Sequence, residues 1–105
     1  MGTIALSEDT FESTVADNDI VLVDFWASWC GPCKMMAPSY TQAAATLEPQ
    51  VRLAKLNTEQ GQDIAAQFNI RSIPTLVIFK NSREVARQSG AMNATDIVRW
   101  IKSHI

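Results

Sequence analysis

Residues 20–33 read Ile20-Val21-Leu22-Val23-Asp24-Phe25-Trp26-Ala27-Ser28-Trp29-Cys30-Gly31-Pro32-Cys33. The first eight are β-branched, aliphatic or aromatic with a single charge, the pattern of a strand covered on both faces and therefore central in its sheet. Gly31 and Pro32 then end the extended run, and Pro suits the first turn of a helix, where its missing N–H has no acceptor to lose. The apolar positions Cys33, Met36, Ala37, Tyr40, Ala44 and Leu47 continue at helical spacing, with Pro38 predicting a kink. A buried strand running into a helix through a cysteine pair is thus the organising unit.

Outward from it, strand and helix periods alternate. A short strand at 3–6 precedes a helix that Ser7 can cap, with Phe11 and Val15 on one face, running to about Asp17. Downstream, 51–57 reads as a strand. Ile64, Ala65 and Phe68 mark a short helix ending near Asn69, a residue suited to a left-handed terminal position. A strand at 75–80 is joined through Asn81-Ser82 to a polar strand at 84–89, as in a tight hairpin, although Ser rather than Gly at positive φ costs about 1 kcal/mol. Asn93 caps a last helix with Ile97, Trp100, Ile101 and Ile105 as its apolar stripe. The order β-α-β-α-β-α-β-β-α predicts an α/β sandwich with a partly parallel sheet and helices on both faces.

The chain has 105 residues, 47% of them hydrophobic, which fits one domain over 1–105 whose core needs neither disulfide staples nor a structural metal. Nine Lys and Arg against eleven Asp and Glu give a net charge of -2, and without a basic run this argues against a nucleic-acid partner. The longest apolar pieces, 20–23 and 76–79, are strand-sized and leave nothing to span a membrane. Residues 1–8 lack a basic segment followed by an apolar one, and Leu6 stands where a myristoylation motif starting at Gly2 needs Ser or Thr. The expected location is the cytoplasm, a reducing compartment.

Cys30-Gly31-Pro32-Cys33 is the one cysteine motif, and three chemistries compete for it. Zinc needs about four ligands where the chain offers two thiols and the distant His104, and a disulfide closing so short a loop would constrain little. Redox exchange remains the favoured reading. A Cys30 thiolate would face the free N–H groups at the start of the helix, while Cys33, one turn in, should be more covered. Cys30 is therefore the nucleophile and Cys33 the resolving thiol. The helix dipole can lower the Cys30 pKa by roughly 1.5 units, which raises the thiolate fraction about 15-fold. A Brønsted slope of about 0.4–0.5 returns most of that and leaves a gain of about 3-fold. Proximity of the two thiols is the larger source of rate.

Resolution requires Cys33 to lose its proton inside the fold, and Asp24, the lone charge of the central strand, is the candidate base, its pKa raised by burial. The alternative is a structural carboxylate. Lys55 shares a face with Val51 and Leu53, where a charge is out of place, and could be the partner of Asp24. Trp29 beside the cysteines reads as a contact surface, Trp100 as core and His104 as a solvated terminal residue.

The run from Val23 through Lys34, followed by Pro38, strongly resembles the active-site segment of the thioredoxin family. Ala54-Lys55-Leu56-Asn57, Ile70-Arg71-Ser72-Ile73-Pro74-Thr75 and Phe79-Lys80-Asn81 extend the likeness over nearly the whole chain. The resemblance implies a thioredoxin fold: a mixed five-stranded sheet of order 1-3-2-4-5, four flanking helices and a cis peptide bond at Pro74. It implies that Trp26 supports the active-site loop from inside. It also implies that Trp29, Gly31, Pro32, Ile73, Pro74, Gly90 and Ala91 form an apolar docking surface, where the Ile73 backbone pairs with an extended target peptide. Three departures stand out: Ser82 in the hairpin, and Thr58 and Ser89 in the docking surface. Leu56-Asn57-Thr58-Glu59 with Arg71-Ser72-Ile73-Pro74 looks most like the thioredoxin 2 branch, without the extra cysteines of that branch's zinc module.

The activity implied is thiol-disulfide oxidoreduction by a monomer. It is a general protein disulfide reductase without bound cofactor, acting on disulfide-containing proteins and recycled by a thioredoxin reductase drawing on NADPH or ferredoxin. The family marks oxidases and isomerases with a His before the second cysteine, where Pro32 stands. A redox-independent binding module using the same apolar patch is the alternative.

Overall fold

A computed structural model describes residues 2–105. The elements among them are β1 (Ile4–Leu6), α1 (Phe11–Asp17), β2 (Ile20–Trp26), α2 (Gly31–Leu47), β3 (Arg52–Asn57), α3 (Gln62–Gln67), β4 (Thr75–Lys80), β5 (Arg83–Ser89) and α4 (Ala94–Lys102). The sheet has the order β1-β3-β2-β4-β5, as the family resemblance implies. β1, β3 and β2 run parallel, while β4 is antiparallel to both β2 and β5. β2 occupies the centre, and its near-continuous apolar run is the consequence: both its faces are covered.

Strand alternation sorts the core into two halves. Val21, Val23 and Phe25 of β2 pack with Phe11, Val15, Leu56, Val77 and Phe79 on the side of α1 and α3. On that side Phe11, Phe68 and Phe79 stack within 5.2–5.6 Å of one another, two of the three pairs edge to face. Leu22 faces the other way, into Met36, Tyr40, Leu47, Leu53, Ile97 and Ile101 beneath α2 and α4. Asp24 and Trp26 follow Leu22 at a spacing of two, so they share the α2 face. The Tyr40 hydroxyl, fully buried, donates to the Ala54 carbonyl at 2.7 Å and lies 3.0 Å from that of Leu22, fastening α2 to both central strands.

Most local signals hold. Asn93 caps α4 through its side-chain oxygen, which accepts the Asp96 N–H at 2.8 Å. Asn69 has φ 56°, and Asn81 and Ser82 have φ 52° and 69°, both central residues of a primed-type hairpin turn. β5 is almost wholly exposed at the sheet edge, which explains its polar composition.

Three expectations are corrected. The N-cap of α1 is Thr10, not Ser7. Residues 7–10 form a turn in which the Ser7 carbonyl accepts the Thr10 and Phe11 N–H groups and the Thr10 hydroxyl accepts the Ser7 N–H. Ile105 is outside the apolar stripe of α4, because the helix stops at Lys102 and leaves Ile105 exposed. Trp100 is only half-buried, packed against the core margin. Pro38 lies inside α2, which continues through it to Leu47. Beside the cis Ile73–Pro74 bond, a second cis bond joins Glu48 to Pro49, for which the sequence reading held no signal.

Candidate active site

β2 ends at Trp26, and the chain turns through Ala27-Ser28-Trp29 to reach Cys30, whose N–H donates to the Ala27 carbonyl at 3.2 Å. Cys30 is the N-cap residue of α2, and its Sγ accepts the Cys33 N–H at 3.2 Å. Sulfur thus occupies the position usually taken by a Ser or Asp oxygen, at the positive end of a 17-residue helix. The two cysteines form a disulfide, with Cα atoms 5.3 Å apart. The expected contrast in cover is absent from this oxidised form: Cys30 is 4% and Cys33 3% exposed. The Cys30 sulfur turns inward to Cys33 and lies 3.8 Å from the Ile73 carbonyl oxygen, so the cap position rather than exposure distinguishes the two thiols.

Several of the remaining expected residues lie beside this pair. Ala27, Cys30 and Cys33 form a small core cluster against which Trp26 and Ile73 pack. Trp29 is 71% exposed, and Gly31 and Pro32 are exposed in the first turn of α2. Pro74 is buried, and its carbonyl accepts the Gly90 N–H at 2.9 Å, drawing Gly90 and the exposed Ala91 to the same end of the sheet. Gly90 has φ 97°, a conformation that favours glycine. Pro38 is exposed, more than one turn beyond Cys33, and outside the cysteine cluster.

Asp24 is 1% exposed, and neither carboxyl oxygen has a hydrogen-bond partner. Burial pushes its pKa up to about 7, while the charge of Lys55 pulls in the opposite direction. Lys55 stands opposite Asp24 in the β2–β3 register. The three ion pairs among the described residues are Arg52–Glu48, Arg87–Glu84 and Arg99–Asp96, so the paired reading of Asp24 and Lys55 fails at contact distance. The Lys55 ammonium instead sits 4.9 Å from the centroid of the Trp26 ring, a cation–π arrangement that ties it to the cysteine cluster.

Two ties that sequence reasoning missed hold the loop. Glu59 Oε1 accepts both the Ser28 N–H at 2.8 Å and the Ser28 hydroxyl at 2.7 Å, and these bonds keep its carboxyl below the usual range. Thr58, known from sequence only as a departure in the docking surface, donates both its N–H and its hydroxyl to the Trp26 carbonyl, at 2.8 and 3.1 Å. Both ties cross more than thirty residues of chain, so no local pattern marks them.

Among the described residues, no three His, Cys, Asp or Glu side chains come together as metal ligands, and no helix is long and apolar enough to cross a membrane. A cavity of about 390 Å³ lies between α1 and α3 against Phe11, Phe68 and Phe79, away from the cysteines. What the cysteine site presents is an exposed apolar rim around a helix-capped sulfur, suited to a polypeptide lying across it. A buried carboxylate near neutrality stands on the α2 side of the sheet.

The family model described as Thioredoxin matches residues 2–103. Thioredoxin C-3 of Corynebacterium nephridii is 45% identical over 103 residues, covering 97% of this chain and 70% of that one. Thioredoxin of Haemophilus influenzae is 45% identical over 101 residues, covering 95% and 94%. Thioredoxin 1 of a Nostoc species is 42% identical over the same length and shares.

Proposed function

Because the chain belongs to the thioredoxin family and is a thiol-disulfide oxidoreductase that reduces protein disulfides, we propose roles for its residues as follows. In the reduced protein the Cys30 thiolate attacks one sulfur of a target disulfide. That S–S bond breaks, a bond between Cys30 and the target sulfur forms, and the other target sulfur leaves as a thiolate. Cys33 then gives its proton to the Asp24 carboxylate and attacks the Cys30 sulfur. The Cys30–Cys33 disulfide forms, the second target thiolate is released, and two electrons have passed to the target. The observation that carries this reading is the hydrogen bond from the Cys33 N–H to Cys30 Sγ, since the same N–H and helix end would favour the Cys30 thiolate.

A base whose pKa lies near 7 is matched to proton transfer at neutral pH, which supports the role of Asp24. Lys55 tunes that carboxyl through its charge and holds Trp26 by its ammonium. Trp26 backs the cysteine loop, with Pro38 as a more remote support within α2. Trp29, Gly31, Pro32, Ile73, Pro74, Gly90 and Ala91 form the surface on which the target lies. The redox-independent binding reading is not favoured, because it leaves the helix-capped cysteine pair and the buried carboxyl without a task.

The family in general acts on disulfide-containing proteins and is recycled by a reductase. Here we take the donor to be a thioredoxin reductase fed by NADPH or ferredoxin, the protein to work as a one-domain monomer, and its location to be the cytoplasm, where a dithiol is maintained. Kinship with the thioredoxin 2 branch rests on residues 56–59 and 71–74 alone. The roles are tested by trapping. Cys33→Ser incubated with a disulfide target should accumulate a mixed disulfide at Cys30, seen by mass spectrometry, whereas Cys30→Ser should form none. Trapping at Cys33, or turnover by Cys33→Ser at the wild-type rate, would overturn the assignment.

A further inference from the structure

A second cavity, of about 190 Å³, opens beside the cysteine pair. Its apolar walls include Trp29, Ile70 and Ile73, and its polar side chains are Thr58, Arg71 and Ser72. The hydroxyl protons of Thr58 and Ser72 are already committed, the first to the Trp26 carbonyl at 3.1 Å and the second to Ser89 Oγ at 3.2 Å. Arg71 is exposed and takes part in no hydrogen bond or ion pair among the described residues, and the Trp29 indole N–H likewise has no partner. Glu59, next to Thr58 in the chain, has Oε1 occupied by Ser28 and is not part of the lining. The side-chain hydrogens left to donate therefore belong to a guanidinium and an indole, and no lining carboxylate opposes them. Such a cavity complements an anionic acceptor.

Its place selects which anion. Ile73, whose carbonyl lies 3.8 Å from Cys30 Sγ, is two residues from Arg71, a separation of at most about 7 Å along the backbone. A polypeptide lying over Ile73 with a cysteine at Cys30 would bring a residue within about three positions of that cysteine to the guanidinium. We propose that this cavity is a subsite for an Asp or Glu side chain of the target, held by Arg71, which makes disulfides flanked by an acidic residue the preferred substrates. The inference rests on the docking of targets at Cys30 and Ile73 set out above.

The test uses the full chain and disulfide-cyclised peptides in which Glu, Gln or Lys is walked through the three positions on either side of one cysteine. The readout is the Glu-to-Gln ratio of kcat/KM, which a general loss of activity does not move. An exposed Arg–carboxylate pair should make this ratio about 2 to 5 at one or two positions at low salt, declining as salt is raised. Arg71→Gln should bring the ratio to about 1, and Arg71→Glu should shift the preference to Lys. A ratio near 1 in the wild type, or one that survives in Arg71→Gln, overturns the proposal. Failure of the docking reading itself looks different: with Cys33→Ser no peptide is trapped on Cys30, and the subsite falls with it.

Discussion

Replacing Asp24 by Asn should abolish a dependence of stability on pH that the wild-type protein carries. The carboxyl is buried without a hydrogen-bond partner, and its pKa is raised from an ordinary 3.8 to about 7. Between those values the folded protein keeps a proton that the unfolded chain has released. Stability is therefore full below about pH 4, declines as pH rises through the window by up to about 1.36 kcal/mol per pH unit, and levels off once the folded carboxyl has ionised. The rise from 3.8 to about 7 corresponds to about 4 kcal/mol across the whole window. That is a large share of the 5–15 kcal/mol typical of a domain.

The assay is urea denaturation of oxidised wild type and Asp24→Asn from about pH 4 to about pH 8.5, followed by tryptophan fluorescence. Keeping the Cys30–Cys33 disulfide removes thiol titration from both curves. The Asn amide is itself a buried polar group costing about 1–3 kcal/mol if unpaired, but that cost is the same at every pH. The informative quantity is the gap between the two stability curves. It should widen by about 4 kcal/mol in favour of the variant from the acid to the alkaline end, with most of the change before about pH 7. Parallel curves would refute the reasoning, since they require the Asp24 carboxyl to titrate alike in the folded and unfolded protein.

Lys55→Met removes the charge that holds the Asp24 pKa down, so the pH at which wild-type stability levels off should move upward; an unchanged or lower midpoint contradicts the coupling. Ser82→Gly relieves a non-glycine residue at φ 69°, worth about 1–2 kcal/mol, against about 0.4–1 kcal/mol for the freer unfolded chain. A net gain of about 0.5–1 kcal/mol, or a few degrees in Tm, is expected by calorimetry, with disulfide reduction unaffected because the hairpin lies at the opposite end of β4 from Pro74.

Much of this protein is legible along the chain because the signals concerned are local. An uninterrupted apolar run marks β2 as central, and a cysteine followed by Gly-Pro marks the start of α2. Asn93 announces a cap, and Asn69 and Asn81 announce left-handed turns; each effect acts within about four residues, so its cause and consequence are written side by side. The position of the redox pair at a helix start followed in the same way. The cis bond at Pro74 came from family likeness, since X-Pro bonds are mostly trans, and the one at Pro49 passed unnoticed.

What only the tertiary structure decided concerns surroundings. Burial of the Asp24 carboxyl with no partner depends on β2, β3 and β4 closing around it and α2 lying across, while the ammonium of Lys55, its register partner, sits against the Trp26 indole. The carbonyl that stands 3.8 Å from the Cys30 sulfur belongs to Ile73, more than forty residues away. The clasp of Glu59 on Ser28 and the uncommitted guanidinium of Arg71 beside Trp29 are likewise made by segments far apart in sequence. Periodicity tells a side chain which way to point. The free energy of a charge depends on the dielectric and the partners within a few ångströms of it, and those are assembled by the whole fold.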